Sequence, residues 1–326
     1  MQRVRVGVVG VGGMGSFHAR TLAAIAGVEV VVVADVYEPN ASRLADELGC
    51  ERSLDPLATA GRSDLDGVVI ASPDETHPEL AVAAIGAGSM VLCEKPLATS
   101  LAEARRVVDV EVATGRRVVQ MGFMREYDPA HVQLLAEIAH LGDIDFARLV
   151  HRNANTSRRP LEQIVVQSMV HEAHSVRFLT GQEVLDVSAF GAGAEDGSFR
   201  HIVARVALSG GGHAVLEFDD GGFAYEVGVE VLGRDGDALT GPPLRPVVRR
   251  DGSVRHHVGT DWFGWFAEAY RIQDRAWVDS VASGTAVGPT AWDGLAAQWI
   301  VQATLDSLST GRTVRVDLPD RPAFYD

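Results

Sequence analysis

Apolar runs and polar turns alternate through the first third of the chain in a strand–helix rhythm. Arg3 to Val9 is an apolar strand that ends in glycines, and Gly13 to Ala26 reads as a helix. Val28 to Ala34 is nearly all valine, the pattern of a strand buried on both faces. A polar helix is predicted from about Glu38 to Leu48, then a short strand over Gly67 to Ala71 and a helix from about Thr76 to Ala87. Ser89 to Cys93 and Arg117 to Met121 read as strands on either side of a helix over Leu101 to Thr114. This alternation predicts an α/β Rossmann domain with a doubly wound parallel sheet. It stops near residue 122, which divides the chain into two domains, 1–122 and 123–326.

The second part has another rhythm. A helix is expected from Pro129 to His140, a strand from Ile144 to His151 and a longer helix over Leu161 to Leu179, closed by Gly181. Strand-like runs then follow without helices between them: Val184 to Phe190, Ile202 to Leu208, His213 to Phe218 and Tyr225 to Leu232. Successive strands joined by glycine-rich turns predict an α+β domain with a large, mainly antiparallel sheet. Helices over Trp262 to Ala282 and Trp292 to Leu308 close the chain, with Trp262, Trp265 and Phe266 as a core stripe.

Composition narrows the partners. A net charge of −15 repels phosphate backbones and anionic lipids, which argues against nucleic acid and membranes. No apolar run approaches the ~18–20 residues that span a bilayer. The chain enters a strand almost at once, so no leader segment is expected. Cys50 and Cys93 form no CxxC and no Cys/His cluster, which fits a reduced, cytoplasmic compartment.

Gly10, Gly12 and Gly15, with Gly13 and Met14 between them, form G-x-G-x-x-G between a strand and a helix. The first glycine permits the tight turn, the second admits a pyrophosphate, and the third lets helix and strand pack closely. Helix N-terminal amides then face the phosphates. Asp35 ends the valine strand twenty residues after Gly15 and can accept from both ribose hydroxyls. Val36 and Tyr37 follow it instead of an arginine, which favours NAD over NADP. Ser72, Pro73 and His77 lie just past the Gly67 strand, where ligands of such sheets bind; taken alone they also read as a turn and helix cap.

Glu94-Lys95-Pro96 follows the next strand. A lysine there can donate to a substrate hydroxyl and relay its proton, with Glu94 orienting it and Pro96 stiffening the turn. Spacing alone fits a salt-bridged surface lysine as well. Together, the glycine loop, Asp35, the Pro73 to His77 segment and Glu94-Lys95-Pro96 resemble the glucose–fructose oxidoreductase/inositol dehydrogenase/MocA family. The likeness continues in Gly122-Phe123-Met124-Arg125 with Asp128-Pro129, in His151-Arg152-Asn153 and in Ala291-Trp292-Asp293-Gly294, which resemble the inositol dehydrogenases. It is thinnest between about residues 184 and 260.

The resemblance implies NAD-dependent oxidation of a secondary alcohol on a cyclitol or sugar, with myo-inositol to its 2-keto form as the leading case. It implies Lys95 and His171 as catalytic residues, and Arg125, His151, Asn153 and Gln167 as residues facing the polyol. It also implies a homotetramer or dimer. The chain departs from the inositol dehydrogenase pattern at Gln167, where an Asp stands four residues before the histidine, and at His174, where an Asp commonly follows it. His171 and His174 have no third ligand at suitable spacing, so no metal is expected. Two other readings stay open: a keto-sugar or aminocyclitol oxidoreductase of the same fold, and a non-catalytic NAD-binding sensor.

Overall fold

A computed structural model describes residues 3–154, 159–193, 199–222, 224–240, 247–250, 253–256 and 261–326. The chain packs into two compact units. One contains Met1–Met124 with 269–298 and 318–326; the other contains 125–268 with 299–317.

In the first unit the elements run β1 (Val4–Val9), α1 (Gly13–Ala23), β2 (Val28–Ala34), α2 (Glu38–Leu48), β3 (Glu51–Ser53), α3 (Pro56–Ala60), β4 (Gly67–Ile70), α4 (His77–Ala87), β5 (Met90–Cys93), α5 (Leu101–Thr114) and β6 (Val119–Met121). The six strands are all parallel, in the order β3-β2-β1-β4-β5-β6. This is the doubly wound order, and the strand sequence reverses direction beside β1, which opens a crevice at the carboxyl ends of β1 and β4. The valines of β1 and β2 are buried on both faces, as parallel strands covered by helices require. Ladder bonds continue beyond the strand ends. Gly10 N–H donates to the Ala34 carbonyl, Ala71 N–H to Val9 and Glu94 N–H to Ile70. The turns that follow β1, β4 and β5 are therefore extensions of the sheet.

The second unit continues with α6 (Pro129–Ile138), β7 (Ile144–Arg152), α7 (Leu161–Ile164), α8 (Val170–Thr180), β8 (Val184–Gly193), β9 (Phe199–Leu208), β10 (His213–Asp219), β11 (Glu226–Gly233), β12 (Gly236–Leu239), the hairpin β13 (Val247–Arg250) and β14 (Ser253–His256), and, later in the chain, β15 (Val314–Arg315). Its sheet runs β12-β11-β7-β10-β9-β8-β15, antiparallel except for the β7–β10 pair. Ala147, Leu149 and His151 of β7 lie on its buried face, against which α8 packs. The intervening positions carry ion pairs, among them Arg148–Glu217 and Arg152–Glu226.

Three expectations change. The helix foreseen over Leu161 to Leu179 is interrupted by a π-helical turn, Val165–Met169, between α7 and α8. Trp262 is exposed, so only Phe266 of the proposed stripe is fully buried. The two closing helices, α9 (Trp262–Ser283) and α10 (Ala291–Thr310), each divide between the units, at residues 268 and 298. In the first unit Trp277 of α9 packs so closely on β4 that a Cβ on Gly67 would lie 2.8 Å from its ring.

Candidate active site

The first unit gathers its candidate residues at the carboxyl ends of four adjacent strands. After β1, Gly10 has a φ of +79°, and a Cβ there would lie 2.3 Å from the Ser72 backbone. A Cβ on Gly15 would lie 1.8 Å from the Gly10 carbonyl oxygen. Neither position admits another residue. Gly12 and Gly13 differ: a Cβ on either meets no atom within 4 Å, and no side chain caps α1. The first-turn amides of an α-helix have no intrahelical acceptor, and their charge polarity suits a phosphate.

Asp35, at the end of β2, is pinned to this loop. Its carboxylate accepts from Val11 N–H at 2.9 Å and from Tyr37 N–H at 2.8 Å. Arg52 on the neighbouring β3 is engaged by Glu38 and the Ser42 hydroxyl, both at 2.8 Å. After β4, His77 ties two turns together: Nδ1 lies 2.7 Å from the Pro96 carbonyl and Nε2 2.9 Å from the Ser72 carbonyl. Pro73, by contrast, is exposed, and its carbonyl accepts from the Thr76 hydroxyl and the Thr76 backbone N–H. Open space over Gly12 and Gly13, a helix N-terminus and an anchored carboxylate fit a dinucleotide with a free ribose diol.

After β5, Glu94 is buried and Lys95 half-buried, followed by a cis peptide bond to Pro96. Of the 29 Lys and Arg residues, 28 are arginine; Lys95 is the single lysine in the chain. Arginine stays charged in proteins, whereas a lysine amine can give up its proton when its surroundings favour that. The chain therefore places its one lysine at this turn.

In the second unit, Arg125 lies in a buried ion-pair cluster. Its guanidinium donates to the Glu172 carboxylate at 2.5 Å and lies 3.3 Å from His151 Nδ1, which is 3.2 Å from the same carboxylate. Burial alone would raise the Glu172 pKa, but the charges of Arg125 and His151 outweigh it and hold it at about 2. Burial lowers the pKa of His151. The ring of His151 meets those of Phe218, Tyr225 and His171 edge-on. Asn153 donates to the buried Asp220, which Arg159 also holds at 2.6 Å. Gln167, half-buried, sits in the π-helical turn, and the buried His171 opens α8. His174 faces Glu126 at 2.7 Å. Among the described residues, no group of three or more His, Cys, Asp or Glu is placed to hold a metal ion.

Glu172, the carboxylate at the centre of this cluster, is not among the residues expected from the sequence, although it stands next to His171. Asp220 gave no signal, since its partners Asn153 and Arg159 lie more than sixty residues away.

Residues 4–123 match the family described as "Oxidoreductase family, NAD-binding Rossmann fold". Inositol 2-dehydrogenase 1 of Saccharopolyspora erythraea is 41% identical over 99% of both chains. The chain belongs to the glucose–fructose oxidoreductase/inositol dehydrogenase/MocA family. An inositol 2-dehydrogenase of Rubrobacter xylanophilus is 34% identical over 99% of this chain and 96% of its own. The crystal structure of a myo-inositol dehydrogenase from Lactobacillus casei in complex with NAD(H) and myo-inositol matches over 100% of both chains, with a TM-score of 0.95 at 27% identity. Membership makes this chain an NAD-dependent oxidoreductase, with the parallel sheet and the larger mixed sheet of that fold.

Proposed function

We propose that this chain oxidises a secondary hydroxyl of a cyclitol, with myo-inositol the leading substrate and NAD the acceptor. The observation that carries the reading is the single lysine at the β5 turn, in the same unit as the glycine loop and Asp35. Residues 1–122 serve the cofactor and 123–326 the substrate in this scheme. Gly10, Gly12, Gly13, Met14 and Gly15 cradle the pyrophosphate, and Asp35 accepts from the ribose hydroxyls. Ser72, Pro73, His77, Glu94 and Pro96 shape the wall around the nicotinamide end.

Bound NAD supplies the hydride acceptor. Lys95, as the neutral amine, takes the hydroxyl proton as the carbinol carbon loses its hydride, so a C–H and an O–H bond give way to one carbonyl. His171 is the residue of the second unit that passes this proton onward. Asn153 and Gln167 present hydrogen-bonding groups to a polyol, while Arg125 and His151, bound to Glu172, shape its surroundings. We assign the protein to the cytoplasm as a homo-oligomer; among the described residues no helix is long and apolar enough to cross a membrane. Purified protein incubated with NAD and a panel of cyclitols and sugars, followed by NADH absorbance, tests the reading. No turnover of any cyclitol would overturn it.

Cofactor choice gives a sharper check. In this reading the Asp35 carboxylate meets the 2′-phosphate of NADP, and like charges brought together repel strongly. Asp35→Ser is expected to raise the NADP-to-NAD ratio of kcat/KM by ~10-fold or more. Equal wild-type efficiency with both cofactors would remove the argument.

Gln167 favours a second reading, in which the substrate is a keto- or aminocyclitol. An Asp at this position would raise the pKa of a neighbouring imidazole by opposite charge, whereas a Gln brings no charge. The i, i+4 spacing of Gln167 and His171 spans the π-helical turn, a wider coil than the regular helix foreseen, and such turns recur at functional sites. If the substrate is inositol, Gln167→Asp should raise kcat/KM on it near neutral pH and shift the pH profile. If Gln167 is a dedicated contact for another cyclitol, the same change loses activity on that substrate and gains nothing on inositol.

A further inference from the structure

α1 carries a histidine on its inward face, three residues past Gly15. His18 is fully buried, and both ring nitrogens face carboxylates: Nδ1 lies 2.8 Å from Asp274 Oδ1 and Nε2 3.2 Å from Glu94 Oε1. Asp274, on α9, is also fully buried, and Glu94 is 5% exposed. Two carboxylates shut away from water demand a cation or a proton between them. A ring carrying both N–H groups donates to each and meets the demand. The rings of Phe17 and Tyr270 meet the imidazole edge-on.

The chain of contacts continues toward Lys95. The second oxygen of Glu94, Oε2, accepts from the Lys95 backbone N–H at 3.3 Å. On its other side the Glu94 carboxylate lies against Gly122, where a Cβ would come within 2.8 Å of it. His18, the Lys95 amide and Gly122 thus fix this carboxylate in one orientation. Burial pulls the His18 pKa down, but the two carboxylates outweigh it and raise it to about 10, while burial raises that of Asp274. The charged groups facing His18 are Asp274 from α9 and Glu94 from the β5 turn. Asp74, on the turn after β4, also acts on this region, since it and Glu94 both raise the pKa of the adjacent Cys93 thiol after burial has done so.

We propose that Asp274, His18 and Glu94 form a buried positioning chain that holds Glu94 as an oriented carboxylate at the Lys95 turn and thereby sets the basicity of the Lys95 amine. The chain carries two negative charges and one positive, with its proton on His18. Removing either carboxylate makes the net charge at the lysine turn less negative. The inference rests on Lys95 as the proton carrier proposed above, and its test reads Lys95 itself.

Because Lys95 is the single lysine, protein made with lysine isotope-labelled at Cε gives one side-chain resonance whose pH titration belongs to this residue. Asp274→Asn removes a negative charge, so the Lys95 pKa should fall by ~0.5 unit or more. Glu94→Gln removes the carboxylate at the lysine turn and should lower it at least as far. The acidic limb of the kcat/KM profile should follow each shift downward. A purely structural cluster would leave the lysine titration unchanged in both variants, and that result overturns the proposal. Should Asp274→Asn fail to fold, Asp274→Ser takes its place with the same expected direction. Shifted titrations in an enzyme inactive on every cyclitol would sink the proposed oxidation and leave the positioning chain standing. Unshifted titrations in an active enzyme would do the reverse.

Discussion

Replacing Lys95 with methionine is expected to lower kcat by ~10²-fold or more while NAD binding stays near normal, the scale of a lost acid–base group. Methionine keeps the length of the stem and removes the amine. The turn itself should survive, because its fixed points are elsewhere. Glu94 N–H is bonded to Ile70, His77 reaches the Pro96 carbonyl, and Lys95 contributes its backbone N–H, which the substitution retains. The glycine loop and Asp35 are untouched, so the cofactor should titrate as in wild type. Lys95→Arg is the informative companion. It restores the charge but not a group that can release its proton near neutral pH, and should stay as inactive as the methionine variant. Steady-state turnover on inositol with NADH absorbance, beside NAD binding by calorimetry, separates the two effects. Full turnover by Lys95→Met would remove the lysine from the mechanism.

The second large effect concerns stability. Glu172→Gln should destabilise the folded protein by ~3–5 kcal/mol, because it leaves the buried Arg125 charge without its counter-ion. Arg125 is 2% exposed and Glu172 fully buried, so solvent cannot replace the lost partner. Changing Arg125 and Glu172 together to leucine should cost less than either single change, since the charge and its desolvation vanish as a pair. The acid dependence follows from the depressed pKa. Glu172 goes from its ordinary value of 4.5 to about 2 on folding. Its contribution is complete above the unfolded value and is lost as pH falls toward about 2. Urea unfolding at neutral pH and across that acid window checks both statements. A Glu172→Gln protein as stable as wild type would show that the cluster contributes nothing net.

The Rossmann half was legible because its instructions are local. Valine runs specify strands buried on both faces, and the steric demands at Gly10 and Gly15 are met only by glycine, so the loop announces itself in six consecutive letters. The Glu-Lys-Pro turn was readable for the same reason, and its place at a strand's carboxyl end follows from the alternating pattern. Strand alternation in the second part also set the mainly antiparallel sheet. Short pieces escaped notice: β3, α3, β12 and β15 each span only two to five residues, too few for a period to emerge.

What the sequence could not decide were the pairings that close over long separations. His18 and Asp274 lie 256 positions apart, and nothing near either residue signals the other. For Arg125 the resemblance implies a place facing the polyol; its burial beside Glu172 and His151 is what the fold adds. The cut at residue 122 followed a change of rhythm, while 269–298 pack with the first unit, where Trp277 joins the core around β1 and β2 and lies against Gly67 of β4. Residue type and spacing determine which backbone conformations a segment can adopt. Which buried charges meet is decided only when distant segments exclude water from the same place, since the cost of an unpaired charge arises there and nowhere along the chain.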